Sequence, residues 1–71
     1  NTRRTMKIVV DGEPVEVRDG LTVADLLLQL GEPADHVLVE INQIFVPPAE
    51  HTSRVLAQGD EVEIILPAFG G

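Results

Sequence analysis

One short segment of this sequence carries a complete set of helix signals, and it constrains the fold more than any other feature. Thr22 stands at the N-cap position with Asp25 three residues later, which predicts a capping box. Gly31 and then Pro33 end the pattern. The apolar residues recur at i, i+3, i+4 and i+7, as one face of a helix requires: Val23, Leu26, Leu27 and Leu30. The sequence therefore predicts one amphipathic helix over residues 23–30.

Most of the remaining chain alternates apolar and polar residues with the period of two that β-strands show. Two such segments precede the helix, and Asp11-Gly12 between them is typical of a β-hairpin. Three follow it, at 37–41, 44–46 and 61–66. The alternation of the last segment favours a central place in the sheet beside the first strand. In the less regular stretch before it, we expect a short helical turn and then Val55 and Leu56 under the core.

One helix and one sheet form the smallest two-layer arrangement that buries both apolar faces. We therefore expect an α+β domain over residues 6–66, with a mixed sheet of four to five strands on one main helix. The core must consist of Val, Leu and Ile, because the chain has only two aromatic residues. Residues 1–5 are interpreted as a disordered leader or cloning remnant, and residues 67–71 as an exposed tail.

Charge and composition exclude several classes of function. The chain has no cysteine, which removes disulfides, thiolate metal sites and thiol nucleophiles and fits a reducing compartment. No apolar run approaches the about 18 residues of a membrane span, and no signal-peptide pattern opens the chain. The net charge of −7 repels nucleic acid and either steers the domain to a basic partner or aids solubility. We expect a cytoplasmic protein that binds neither nucleic acid nor membrane.

The sequence offers few side chains of the kinds that catalyse reactions or hold metals. His36 and His51 lie outside the regular segments and in no metal-binding spacing, so we interpret both as exposed loop histidines. Ser53 with His51 could be drawn as a hydrolase dyad, but no nucleophile elbow surrounds the pair. The acidic residues are dispersed, which is typical of a solvated surface. We expect no catalytic residue, no metal and no bound cofactor.

The end of the sequence is its most informative feature for function. After the last predicted strand the chain runs through Pro67 and Phe69 to Gly70-Gly71. Glycine adds no side chain to a core and loses the most entropy on ordering, so two final glycines do not stabilise a fold. They do permit close backbone approach, and five residues can extend roughly 17 Å. We therefore expect a tail that threads a narrow channel and delivers the Gly71 carboxylate to a partner's active site.

Several short segments together span nearly all of residues 6–71: MKIVVDGE at 6–13, LTVADLL at 21–27, VEIN at 39–42, VP at 46–47, Leu56, GDEVEI at 59–64 and the final glycine pair. No segment is specific alone, but their order, the chain length and the place of the two glycines are jointly specific. Together they resemble the ThiS/MoaD family of ubiquitin-like sulfur carrier proteins. The resemblance implies a ubiquitin-like β-grasp fold with a flexible C-terminal Gly-Gly tail.

The resemblance also implies a function in which the domain itself catalyses nothing. An adenylating enzyme of the ThiF/MoeB type would use ATP to activate the Gly71 carboxylate, and a persulfide donor would supply the sulfur of a thiocarboxylate. Activation is needed because a terminal carboxylate, with a pKa of about 3.5, is ionised at neutral pH and is a poor electrophile. The thiocarboxylate would pass its sulfur to an acceptor such as thiazole synthase, with Gly70 threading the tail into each partner.

More than one pathway fits this resemblance. The chain length and the segment 46–59 are more similar to the carriers of thiamine (thiazole) biosynthesis, whereas Pro67 resembles the proline of the molybdopterin carriers. Carriers that supply sulfur for cysteine or homocysteine synthesis share the same C-terminal ending. A ubiquitin-like protein modifier and a non-covalent interaction module are further alternatives.

Four apolar residues are candidates for docking a partner: Pro67, Phe69, Ile44 and Phe45. Phe69 lies beyond the last strand, so we expect it to be exposed. Phe45 fits the core face of the sheet better than an interface.

Overall fold

The computed structural model describes residues 4–67, which form one mixed sheet with an α-helix packed against one face. The helix is α1 (Val23–Leu30), and short 3₁₀ turns lie at Ala34–His36 and Pro48–Glu50. The strands are β1 (Thr5–Val10), β2 (Glu13–Arg18), β3 (Leu38–Ile41), β4 (Ile44–Val46) and β5 (Glu61–Ile65). Their order across the sheet is β2-β1-β5-β3-β4.

The last strand joins the two halves of the chain in one sheet. β5 runs parallel to β1 on one side and antiparallel to β3 on the other, while β1–β2 and β3–β4 are antiparallel hairpins. The predicted mixed sheet on one helix, and the central place of the last strand, are confirmed. β1 begins at Thr5, one residue before the predicted start of the domain. Residues 1–3 and 68–71, which hold most of the predicted leader and tail, lie outside the described residues.

The helix begins and ends through the local interactions that its sequence predicts. Thr22 Oγ1 accepts the Asp25 N–H, and Asp25 Oδ2 accepts the Thr22 N–H, each at 3.1 Å, so the capping box is complete. Gly31 adopts the left-handed conformation at φ 73°, where a residue without Cβ is favoured. Leu30, the last residue of the helix, stays 40% exposed, so the buried stripe is shorter than predicted.

Two tight turns fix the register of both hairpins. Asp11 and Gly12 have φ values of 50° and 84°, and Asn42 and Gln43 have 52° and 70°. Positive φ at both central residues matches the right-handed twist of the flanking strands, which is why Asp-Gly predicts such a turn. Because side chains alternate along a strand, these registers place the buried apolar residues of both hairpins on the face of the sheet that packs against α1.

The core lies between α1 and the inner face of the sheet. Among residues 4–67 it contains 14 buried hydrophobic residues, and all except Met6 are Val, Leu or Ile, as predicted. Leu56 is buried, but Val55 is 51% exposed, so the expectation that both lie under the core is wrong. The chain is extended at Val55, which forms an isolated antiparallel β-bridge with Thr22. Successive side chains of an extended chain point in opposite directions, so only one of the two can face the core.

Candidate functional site

The chain leaves the fold from the middle of the sheet. Ile65, the last residue of β5, is paired with Leu38 at the start of β3. Leu66 follows with 65% of its surface exposed, and Pro67 is half-buried. The predicted tail therefore starts from the end of β5 that pairs with β3, whereas β1 pairs only with Glu61 and Val62 at the other end of that strand. Phe69, Gly70 and Gly71 lie outside the described residues, so their docking, threading and sulfur-carrying roles stay predictions.

A buried carboxylate fixes the start of β5. Asp60 is 8% exposed and accepts hydrogen bonds from Asn42 Nδ2 at 3.1 Å and from the Ala57 N–H at 2.9 Å. Asn42 Oδ1 accepts the Glu61 N–H at 3.0 Å, and the Asn42 N–H donates to the Glu61 carbonyl oxygen at 2.8 Å. The interpretation of Asp60 as a solvated surface acid was wrong, because its side chain ties the β3–β4 turn to the strand that carries the tail.

Two predicted docking residues, Ile44 and Phe45, are both exposed but do not share a face. Ile44 is 68% exposed and pairs with the buried Ile41, so it lies at the rim of the inner face. Phe45 is 50% exposed and pairs with Glu40 on the outer face, opposite α1. The prediction that Phe45 fills the core face was wrong, because its neighbour Val46 occupies that face.

The outer face gives Phe45 two apolar neighbours that the sequence analysis missed. Leu38 lies diagonally from Phe45 on β3, and Ile65 lies directly opposite Leu38 on β5. Leu38 is 40% exposed and Ile65 is half-buried. We call these three residues the apolar corner. The sequence contains a signal for the apolar corner, because Leu38 and Ile65 are apolar residues at positions where the alternation within each strand points the side chain outward.

Each of the two histidines has a different environment. His36 is exposed, as predicted, and lies 3.8 Å from an Asp35 oxygen. His51 is only 4% exposed, so its interpretation as an exposed loop histidine was wrong. His51 Nε2 lies 3.3 Å from the Val46 carbonyl oxygen, at the point where proline ends β4. The His51 carbonyl oxygen accepts the Ala24 N–H at 2.9 Å, so this residue joins β4 to the first turn of the helix.

Ser53 and His51 do not form a hydrolase dyad, because each side chain contacts a different backbone carbonyl oxygen. Ser53 Oγ donates to the Glu50 carbonyl oxygen at 3.3 Å, while the His51 ring contacts Val46. Within residues 4–67, no group of three or more His, Cys, Asp or Glu residues is placed to hold a metal ion. In that same range, no helix is long and apolar enough to cross a membrane.

Known proteins resemble this chain over nearly its whole length. Two thiazole synthases, from Magnetococcus marinus and Paramagnetospirillum magneticum, are each 35% identical to it over 66 residues. That match covers 93% of this chain, which spans about a fifth (20%) of the length of those relatives.

Solved structures agree with the fold described above. The crystal structure of the thiamine biosynthesis protein ThiS from Geobacter metallireducens superposes with a TM-score of 0.83 at 30% identity, covering 93% of this chain and 100% of that one. A ubiquitin from Caldiarchaeum subterraneum, at 22% identity and a TM-score of 0.51, covers 99% of this chain and 100% of its own. That second likeness establishes a ubiquitin-like β-grasp fold.

The family model that matches the chain covers residues 3–71, a range that includes the outer face, the exit of β5 and the final glycine pair. The chain therefore belongs to the ThiS family.

Proposed function

We propose that this domain is a sulfur carrier whose working group is the carboxylate of Gly71. An adenylating enzyme of the ThiF type would join that carboxylate to the α-phosphorus of ATP and release pyrophosphate. A persulfide sulfur would then attack the carbonyl carbon as AMP leaves, which forms an acyl disulfide. A thiol would attack the donor's sulfur in that disulfide, so that the thiocarboxylate leaves and the thiol and the donor are joined as a new disulfide. The activation is required because an ionised carboxylate has no good leaving group.

One observation carries this proposal. The ThiS family match extends through residue 71, so the matched range includes the Gly70-Gly71 pair. The course of β5 supports it, because a strand that pairs with β3 up to its last residue, Ile65, precedes these residues along the chain. Glycine lacks the side chain that would obstruct a narrow channel, which suits delivery of the last carbon to another protein's active site.

The similarity to two thiazole synthases supports thiazole formation as the destination of the sulfur. In that step the thiocarboxylate would act as a soft anionic nucleophile inside the acceptor enzyme, where water is excluded. The carrier would work in the cytoplasm, where ATP and persulfide donors are present. The domain's own contribution is to hold the tail on a stable support that two enzymes can bind in turn.

Intact mass spectrometry tests the proposal. The 71-residue chain is incubated with ATP, a ThiF-type adenylating enzyme and a persulfide donor. The expected product has one sulfur in place of one oxygen, and fragmentation places the change on Gly71. Conjugation to a lysine of another protein would instead support a modifier, and an unchanged mass in all reactions would reject the carrier function.

A further inference from the structure

The side chain of Asp11 lies at the point where β5 loses its neighbour β1. The β1–β5 pairing ends at Val10 and Val62, and the Asp11 N–H donates to the Val62 carbonyl oxygen at 2.9 Å. Two residues further along β5, Asp11 Oδ1 accepts the Ile64 N–H at 3.0 Å. Within residues 4–67, no other hydrogen bond reaches this edge of β5 beyond Val62. The carboxylate therefore takes the place that a backbone carbonyl of β1 would occupy in a longer strand.

Both hairpin turns hold β5 through the side chain of their first central residue. Asn42 has a φ of 52°, and its Oδ1 accepts the Glu61 N–H at 3.0 Å at the start of the strand. Asp11 has a φ of 50° and holds Ile64 near the end of the strand. A turn of this kind needs only a residue that tolerates positive φ, and glycine meets that need as well as aspartate does. The turn alone therefore does not account for an acceptor side chain at position 11.

The last part of β5 has a strand neighbour on one side only. Ile65 pairs with Leu38 of β3, whereas the pairing with β1 has already ended. A strand end that is held along one edge can pivot about that edge, and a hydrogen bond on the other edge limits the rotation. The hydrogen bond from Ile64 to Asp11 is exposed, so its net contribution to the stability of the domain is modest. It still selects one direction for the strand end.

The two residues after β5 pass this direction on to the rest of the chain. The proline ring fixes φ of Pro67, and Leu66, as the residue before a proline, is restricted to extended conformations. The stretch 65–71 can extend roughly 24 Å at most. A rotation of about 10° at Ile64 then displaces a fully extended chain end by about 4 Å. A misplacement of about 1 Å at a reacting group can lower a rate about a hundredfold.

We infer that Asp11 is a positioning residue for the chemistry at Gly71. Its carboxylate acts through the Ile64 N–H, not through contact with the reacting atoms, and aims the chain end into the active site of the adenylating enzyme. The inference rests on the proposed function, because the group that is aimed is the Gly71 carboxylate. Asp11 then sets the rate of adenylation in the complex and leaves the affinity of the folded domain for the enzyme unchanged.

The test compares two variants that both lose the charge of Asp11. Asp11→Asn keeps an oxygen that can accept the Ile64 N–H, and asparagine tolerates the positive φ of this position. Asp11→Gly removes the acceptor without straining the turn. Gln43→Gly is the matched control, because it adds a glycine at a position of the other hairpin turn where φ is 70°. The comparison therefore separates the acceptor from the charge and from the added flexibility.

Three quantities are measured on each complete chain, at a temperature where circular dichroism shows the wild type to be folded. The first is the single-turnover rate of adenylation by a ThiF-type enzyme at saturating carrier concentration. The second is the Kd for that enzyme. The third is the hydrogen-exchange rate of the Ile64 amide, followed by NMR, which reports directly on the hydrogen bond to Asp11.

We expect Asp11→Gly to lower the single-turnover rate about three- to tenfold, which is the loss that one hydrogen bond can account for. Its Kd should lie within about twofold of that of Asp11→Asn, and the Ile64 amide should exchange faster in Asp11→Gly alone. Asp11→Asn and Gln43→Gly should be adenylated within about twofold of the wild-type rate. Equal rates for the two Asp11 variants, or a loss that appears in Kd instead of in the rate, overturn the inference. An Asp11→Gly chain that is unfolded at the assay temperature overturns it as well, because the side chain would then hold the fold rather than the chain end.

Pro67→Gly tests the route from Asp11 to the chain end. With a flexible residue at position 67 the direction of the strand no longer reaches Gly71, so adding Asp11→Gly should lower the rate further by less than about twofold. Distant residues that act independently have additive effects. A full additional loss in the double variant therefore overturns the inference.

The wild-type chain separates the two proposals. If it is adenylated on Gly71 and Asp11→Gly is adenylated equally fast, the positioning inference fails and the carrier function stands. If the wild-type chain binds the enzyme without being adenylated, the carrier function fails, and the positioning inference fails with it.

Discussion

Replacing Asp60 by alanine should destabilise the domain far more than replacing its exposed neighbour Glu61. The substitution removes the acceptor of two hydrogen bonds, from Asn42 Nδ2 and from the Ala57 N–H. Bonds to charged groups contribute about 1.5–3 kcal/mol each when they are buried. Because these bonds are only partly buried, we expect a total loss of about 3 kcal/mol. For a domain of this length the whole free energy of unfolding is roughly 4–11 kcal/mol, so the loss is a large fraction.

Urea denaturation followed by far-UV circular dichroism measures this loss. Fluorescence is unsuitable because the chain has neither Trp nor Tyr. A loss of 3 kcal/mol corresponds to a fall in melting temperature of roughly 12–24 °C. Glu61→Ala is the control, since its side chain is exposed, and it should change stability by less than about 0.5 kcal/mol.

A double-mutant cycle assigns the effect to the network. Asn42→Gly removes the partner side chain without straining the positive φ of that turn position. The effects of Asn42→Gly and Asp60→Ala should be less than additive, because both remove the same hydrogen bond. A loss below about 1 kcal/mol for Asp60→Ala, or strict additivity, would show that the hydrogen bond between Asn42 and Asp60 does not stabilise the start of β5.

Three further substitutions test other parts of the fold by urea denaturation. Leu26→Ala empties a fully buried core position and should cost about 3 kcal/mol, and a loss under about 1.5 kcal/mol would contradict the assigned core. Gly31→Ala should cost about 1 kcal/mol through backbone strain alone, since an added Cβ meets no atom within 4 Å, and a neutral result would reject the left-handed cap. Hydrogen bonds from Thr22, led by its backbone N–H, and the Arg18 guanidinium lower the pKa of Asp25. Because the folded-state pKa is lowered, this contribution is present at neutral pH and is lost as the pH falls below about 4. The stability gap between the wild type and Asp25→Ala should therefore narrow towards pH 3, and a constant gap would be inconsistent with this cause.

The elements with local signals were predictable from the sequence. The helix limits follow from Thr22, Asp25 and Gly31, whose contacts lie within a few residues along the chain. The Asp11-Gly12 turn set the first hairpin in the same way. Strand pairing between β1 and β5 is not local, but it followed from the need to bury both apolar faces.

The errors concern residues whose environment depends on distant partners. His51 is buried because it contacts the carbonyl of Val46 and the start of α1, and nothing in the adjacent sequence indicates this. Asp60 is buried through Asn42, 18 residues away. The apolar corner was only partly predicted, because the order of the strands brings Phe45 next to Leu38 and Ile65, and periodicity alone does not give that order.

The most direct test of the account compares two chains, one ending at Gly71 and one ending at Gly70, in the same two assays. Sulfur loading is read by mass spectrometry and unfolding by thermal melting. We expect that only the longer chain is loaded and that the two melting curves superimpose, because the last strand ends at Ile65, six residues before Gly71. Loading of the shorter chain to the same extent, or a clearly lower melting temperature for it, would contradict the account.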